Sequence, residues 1–177
     1  TIDSAVLTTI SAAMLTSSNA AEPGPGETAW NVATAYTVGQ TCYLASTHRI
    51  YECLVAHTGA SPDVNLTGAT PKWLQLGFTN RWAMWDLYRD TSTVLASPLT
   101  VVITPGQRIN SLALMGLVAT GAEVVGTVGA TTVYSRSIDL NTREVLGWYD
   151  YFFAPFTNQP SLVLFDIPPY STLVLTI

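Results

Sequence analysis

The chain reads as an all-β protein in two folded parts, a small β-module at residues 27–76 followed by a β-sandwich at 81–177. Three observations predict this. Short apolar runs separated by Gly, Pro and Asn recur through the second half at the spacing of strands and turns. Trp30, Tyr36, Tyr51 and Trp73 punctuate a stretch of about 45 residues with little else to bury, so a few large rings must supply its core. Charged residues make up only 11% of the 177 residues and hydrophobic ones 48%. An ordinary soluble domain carries about 25% charged residues, so this balance suits a β protein that covers much of its surface by assembly.

Taken in order, residues 1–22 form an N-terminal segment. Ile2, Val6, Ile10, Ala13 and Met14 would make a helical stripe behind an Asp3 cap, while the Ser/Thr density equally allows an extended arm. The segment lacks the positive start of a signal peptide. Pro23-Gly24-Pro25-Gly26 is a strong breaker and marks a boundary. In the module that follows, Trp30, Tyr36, Tyr51 and Trp73 are the expected core. A hairpin carries Cys42 and Cys53 on its two arms. These are either reduced, half-buried small hydrophobes or a cross-strand disulfide; no companion pair gives them zinc-ligand spacing. Alternation turns Tyr43 away from Cys42 and Leu44. An exposed Tyr43 could stack on a sugar ring, with polar neighbours such as His48 or Gln40 beside it, and His57 joins it as a candidate; packing is the plainer reading of Tyr43.

Gly77–Asn80 is a joint. Trp82 and Trp85, with Met84 and Tyr88, recur at the spacing of a stripe that packs against a sheet, either as core or as an interdomain clamp. The sandwich then follows as about seven or eight short strands: Thr91–Ala96, Leu99–Thr104, Ile109–Val118, Glu123–Val128, Thr131–Ile138, Val145–Phe153, Leu162–Ile167 and Ser171–Ile177. Long apolar runs such as Leu112–Val118 suggest strands covered on both faces. In Val145–Phe153, alternation places Tyr149, Tyr151 and Phe153 on one face and Trp148, Asp150 and Phe152 on the other. With Phe156 nearby, one face then needs a cover from outside the strand. The apolar final strand is paired at the centre of a sheet, covered by a partner, or continued in a longer polypeptide.

Composition and motifs argue against chemistry. The net charge is −5, and Lys72 is the sole lysine. No cationic cluster is present to neutralise phosphates or hold an anionic membrane, and no apolar run reaches the roughly 20 residues that span a bilayer. His48 and His57 are the only histidines, and no nucleophile elbow, zinc helix or phosphate loop accompanies them. Asp86 with Asp90, and Asp150 with Asp166, read as turn and cap residues rather than as paired acid and base. Neither an enzyme, a metal nor a cofactor is expected.

Trp30, Tyr36, Val38-Gly39, the hairpin to Ile50-Tyr51-Glu52-Cys53, Thr58, Pro62 and Trp73 together resemble the family five/twelve carbohydrate-binding modules. The resemblance implies a small three-stranded minidomain. That family carries adjacent exposed tryptophans just after the tyrosine strand. Here those positions hold Leu54, Val55 and Ala56, so its chitin site does not carry over. Met14–Ser18, Tyr36–Gly39, Thr47–Glu52, Pro71–Leu74 and Thr79–Asp86 further resemble a recurrent segment of tailed-bacteriophage tail proteins, in which a β-sandwich follows, of jelly-roll or galactose-binding-like form. The resemblance covers roughly residues 13–90 and implies a structural virion protein of a tail fibre, baseplate or tail tip. Its partners would be other tail proteins, further copies of itself and a host-surface glycan. The rival expectations are a glycan-binding module with true sugar affinity and an accessory domain of a polysaccharide-degrading enzyme.

Overall fold

A computed structural model describes residues 7–86, 88, 91–96, 98–142, 146–155 and 157–177. The protein is all-β, built from antiparallel sheets with one short α-helix among the described residues. It folds as two units, Ala20–Ser97 (the inner unit) and Thr1–Asn19 with Pro98–Ile177 (the split unit). The split unit begins with β1 (Leu15–Ser18). The residues expected to form a helical stripe or free arm thus run into a strand, and Ile10, Ala13 and Met14 lie in no helix. Ile2, Asp3 and Val6 lie outside the described residues.

In the inner unit, β3 (Thr41–Leu44), β4 (Arg49–Cys53) and β6 (Trp73–Phe78) form a three-stranded sheet, and β2 (Ala35–Tyr36) pairs with β5 (His57–Thr58). The turn into β3 needs a positive φ at Gly39 (84°), a conformation that glycine alone adopts without strain. Tyr36, Cys42, Tyr51, Cys53 and Trp73 make the core, with Trp30, Leu44 and Leu66 packed against it. Each large ring also satisfies its polar atom. Trp73 Nε1–H donates to the Ala60 carbonyl at 2.9 Å, the Tyr36 hydroxyl accepts from Asn31 N–H at 2.8 Å, and the Tyr51 hydroxyl meets Thr47 Oγ1 at 2.9 Å. Tyr36 meets Trp73 edge-on at 5.0 Å. The outer edge of β3 is closed by the strap before it. Tyr43 N–H donates to the Thr28 carbonyl (2.8 Å) and Trp30 N–H to the Tyr43 carbonyl (2.9 Å), so Ala29 bridges Tyr43 in parallel.

The expected strand Thr91–Ala96 is irregular. The Asn80 side chain takes a strand's place: its amide donates to the Val94 carbonyl and its oxygen accepts from Val94 N–H, both at 2.9 Å.

The split unit adds β7 (Val101–Ile103), β8 (Leu112–Met115), β9 (Gly121–Val128), β10 (Thr131–Asp139), α1 (Trp148–Phe153), β11 (Ser161–Leu164) and β12 (Val174–Thr176). A five-stranded sheet runs in the order β1-β7-β12-β9-β10, and β8 pairs with β11 in a separate ribbon. The last strand therefore lies inside the sheet, flanked by β7 and β9. Gly129, at φ 59°, makes the two-residue turn between β9 and β10. Val101, Ile103, Val124, Leu140, Leu162, Ile167, Leu173 and Leu175 are buried. The expectation that Leu112–Val118 is covered on both faces is corrected: Met115 and Val118 are exposed, because β8 pairs with β11 alone.

Val145–Phe153, expected as a strand, holds α1 instead; Val145 and Phe156 lie outside the described residues. Its rings pair at the i, i+4 spacing of a helix, Trp148 on Phe152 (6.3 Å, 16°) and Tyr149 on Phe153 (5.1 Å, 36°). Asp150 Oδ2 accepts from Leu146 N–H at 3.2 Å at the helix start.

Candidate functional site

The three sugar-binding candidates of the inner unit each turn to a different partner. Tyr43 is 8% exposed. It lines a cleft of about 260 Å³ with Pro25, Glu27, Thr28 and Ile50 and presents no open ring face. Strand alternation put Tyr43 opposite the core, and the strap of Pro25–Thr28 buries that second side. His48 closes the β3–β4 turn with a left-handed φ of 55°. Its ring stacks on Trp82 at 4.4 Å, and Nδ1–H donates to the Glu22 carboxylate at 3.0 Å. That carboxylate also accepts from Thr79 Oγ1–H (2.9 Å) and Trp82 Nε1–H (3.1 Å). Thr79 is fully buried and Trp82 6% exposed. His48 is thus a bolt in the inner unit's framework, and Trp82 packs within the same unit; Trp85 is half-buried there.

His57 lies edge-on to Trp73 at 4.9 Å and tilted to Tyr36 at 6.1 Å. Its Nδ1 is 2.6 Å from the Val55 carbonyl. A carbonyl only accepts, so Nδ1 carries the proton. Cys53 Sγ stands 3.7 Å from the same nitrogen and donates to the same carbonyl at 3.2 Å. Both cysteines are free and buried. Register sets Cys42 opposite Tyr51 and Cys53 opposite Trp73, so the two thiols are diagonal rather than facing. Burial, and then the neighbouring Cys53, push the Cys42 thiol up to about 11; burial also raises Cys53. Thiols held protonated are poor nucleophiles and poor metal ligands. Among the described residues, no three His, Cys, Asp or Glu side chains gather as a metal site.

The carboxylates singled out from sequence are occupied with structure. Asp86 Oδ1 accepts from Tyr88 N–H (2.9 Å) and from Thr91 Oγ1–H; Asp90 lies outside the described residues. Asp150 caps α1. Asp166 accepts from Arg136 Nε–H (3.1 Å) and Nη2–H (2.5 Å), and from the Tyr134 hydroxyl (2.7 Å). Arg136, then Tyr134, hold its carboxyl below the usual range, while burial, then Asp166, raise the Tyr134 phenol.

What sequence reasoning missed is the exposure of α1. Trp148 is 82% exposed, Tyr149 75%, Tyr151 60%, Phe152 66% and Phe153 70%. The helix sits at the tip of a paired stem. Leu140 N–H donates to Thr120, Gln159 N–H to Leu140 and Thr142 N–H to Thr157, at 2.8–2.9 Å, and Asn141 bridges Asn158. Leu140 is fully buried, which anchors the stem in the split unit. Contiguous exposed rings on this scale are rare on monomeric soluble proteins and mark contact surfaces. Such a lobe can desolvate against another apolar surface; it offers no acid, base or nucleophile poised for chemistry. No family model, curated protein or solved structure matches the chain.

Proposed function

We propose that this protein is a structural component of a bacteriophage tail (tail fibre, baseplate or tail tip), non-catalytic, working by apolar contact with neighbouring proteins and positioned to meet the host surface. One observation carries the reading: the most prominent surface among the described residues is an uncharged ring lobe on an anchored stem, not a cleft lined by acid and base. The low charge content fits a chain that completes its surface against others, and the ordered tail-protein motifs named above supply the setting. The β-sandwich expectation for the second part is carried forward as a proposal, consistent with a five-stranded sheet and a separate ribbon in one unit. The glycan-binding alternative draws no support from Tyr43, whose ring is covered, or from His48 and His57, whose rings are packed on Trp82 and Trp73.

The test is localisation. Particles of the phage or prophage encoding the chain are purified, their tails separated from heads, and the protein sought by mass spectrometry and labelled-antibody microscopy. Recovery in tails at fixed stoichiometry is expected; absence from the particle overturns the reading.

A further inference from the structure

We propose that the α1 lobe is the surface through which two copies of this chain associate. This deepens the assembly reading, on which it rests, by naming the lobe's occupant. The first argument is area. A fully covered Phe, Tyr or Trp removes roughly 150–250 Å² from water. At the exposures found for Trp148 to Phe153 (60–82%), the five rings offer on the order of 700 Å². A stable protein interface needs about 800 Å² from each partner. The lobe alone nearly supplies one side, and Leu146, 82% exposed beside it, adds to it. A sugar would cover one or two rings and leave the rest in water.

The second argument is geometry. At 3.6 residues per turn, these rings spread over about 200° of the helix. A flat wall covers a stripe nearer 100° wide. A surface that wraps is best matched by one of the same shape, and a two-fold contact makes the patch self-complementary by construction. Ring pairs already adopt edge and offset packing inside the lobe, at 5.1 Å between Tyr151 and Phe152; a second copy presents partners of the same kind.

The third is charge. Asp150 falls on the arc away from the rings and caps the Leu146 N–H, so a ring-to-ring contact leaves that carboxylate outside. A bilayer fits less well: interfacial helices carry Lys and Arg on the polar arc, whereas here it carries a carboxylate in a chain of net charge −5.

The experiment is sedimentation velocity on the full chain from micromolar to submillimolar concentration, with iodide quenching of tryptophan fluorescence. Trp148 is the exposed tryptophan, whereas Trp73 and Trp82 are buried. Concentration-dependent dimer formation that shields Trp148 is expected. The double variant Trp148→Ser/Phe152→Ser should weaken it by ~tenfold or more. Its circular dichroism should not change, because both rings lie outside the core. Leu76→Ser, which removes an exposed leucine of the inner unit (52%), should leave association unchanged. A monomer throughout the range overturns the proposal, as does a dimer indifferent to the ring variant. Binding of the monomer's α1 rings to zwitterionic or anionic phospholipid vesicles, or to a glycan array, in place of self-association also overturns it. A monomer nevertheless recovered in tails ends this proposal and spares the tail reading; an α1-dependent dimer absent from particles does the reverse.

Discussion

Replacing Glu22 by Ala tests the polar framework of the inner unit. The carboxylate holds three donors, from His48, Thr79 and Trp82, at 2.9–3.1 Å. Its side chain is 11% exposed. Removing it strands Thr79 Oγ1–H and Trp82 Nε1–H in buried positions, at about 1–3 kcal/mol for each unsatisfied group. The half-exposed His48 regains water, so it adds little. It does lose the anchor for its left-handed backbone, a conformation that costs on the order of 1 kcal/mol. The sum is about 3–5 kcal/mol for Glu22→Ala, and about 1–2 for Glu22→Gln, which keeps one acceptor oxygen. Urea unfolding followed by tryptophan fluorescence is the assay, since Trp30, Trp73, Trp82 and Trp85 all lie in this unit. With a slope of roughly 1–3 kcal/mol per molar, the midpoint should fall by about 1–3 M. In a double-mutant cycle, Glu22→Ala and His48→Ala should be non-additive by about 0.5–3 kcal/mol. A loss under about 0.5 kcal/mol, the range of an ordinary surface substitution, would refute the assignment of this cluster as a framework.

Other outcomes follow from the thiols and the acidic loop. Cys42 and Cys53 should resist a thiol reagent at pH 8 in the folded chain, and both should react in denaturant; fast labelling without denaturant would contradict their burial. Because the folded Cys42 thiol is raised from 9.0 to about 11, the unfolded chain loses that proton first as pH rises. The stabilisation is therefore present below about pH 9 and lost between there and about 11; Cys42→Ala should flatten that alkaline limb of urea midpoints. Asp166 has the opposite sign. Its folded carboxyl lies below the ordinary 3.8, so its contribution is present above that value and lost as pH falls below it. Asp166→Asn should lower the midpoint slightly at pH 7 and narrow the gap to wild type near pH 3, and a gap independent of pH would count against the Arg136 pairing.

Local signals survive well in this sequence. Tyr36, Tyr51 and Trp73 stand out in a stretch with little else apolar and large, and these are the rings its core holds. Glycine and proline turns delimit β7 to β12 within a few residues. Three things were illegible, each for a physical reason. The run Trp148–Phe153 is apolar at almost every position, so it satisfies the strand period and the helix period alike. What distinguishes them is the lack of a neighbouring strand, which is a tertiary fact. Tyr43 was read by alternation as facing outward, a rule that assumes one open face; the strap that covers it comes from earlier in the chain. The Glu22 cluster joins residues 26, 57 and 60 positions apart, a separation over which no spacing rule operates.

The place of β12 has a consequence for synthesis. It is made last among the twelve strands, yet it fills the gap between β7 and β9. While the ribosome is still at work, the inner unit has every strand it needs, but the β1–β7 and β9–β10 pairs each wait with one bare flank. On a crowded polysome those flanks are open to strands of neighbouring nascent chains. Pausing or slow translation before the final segment should therefore raise the yield of misassembled protein more than an equal delay within residues 20–97.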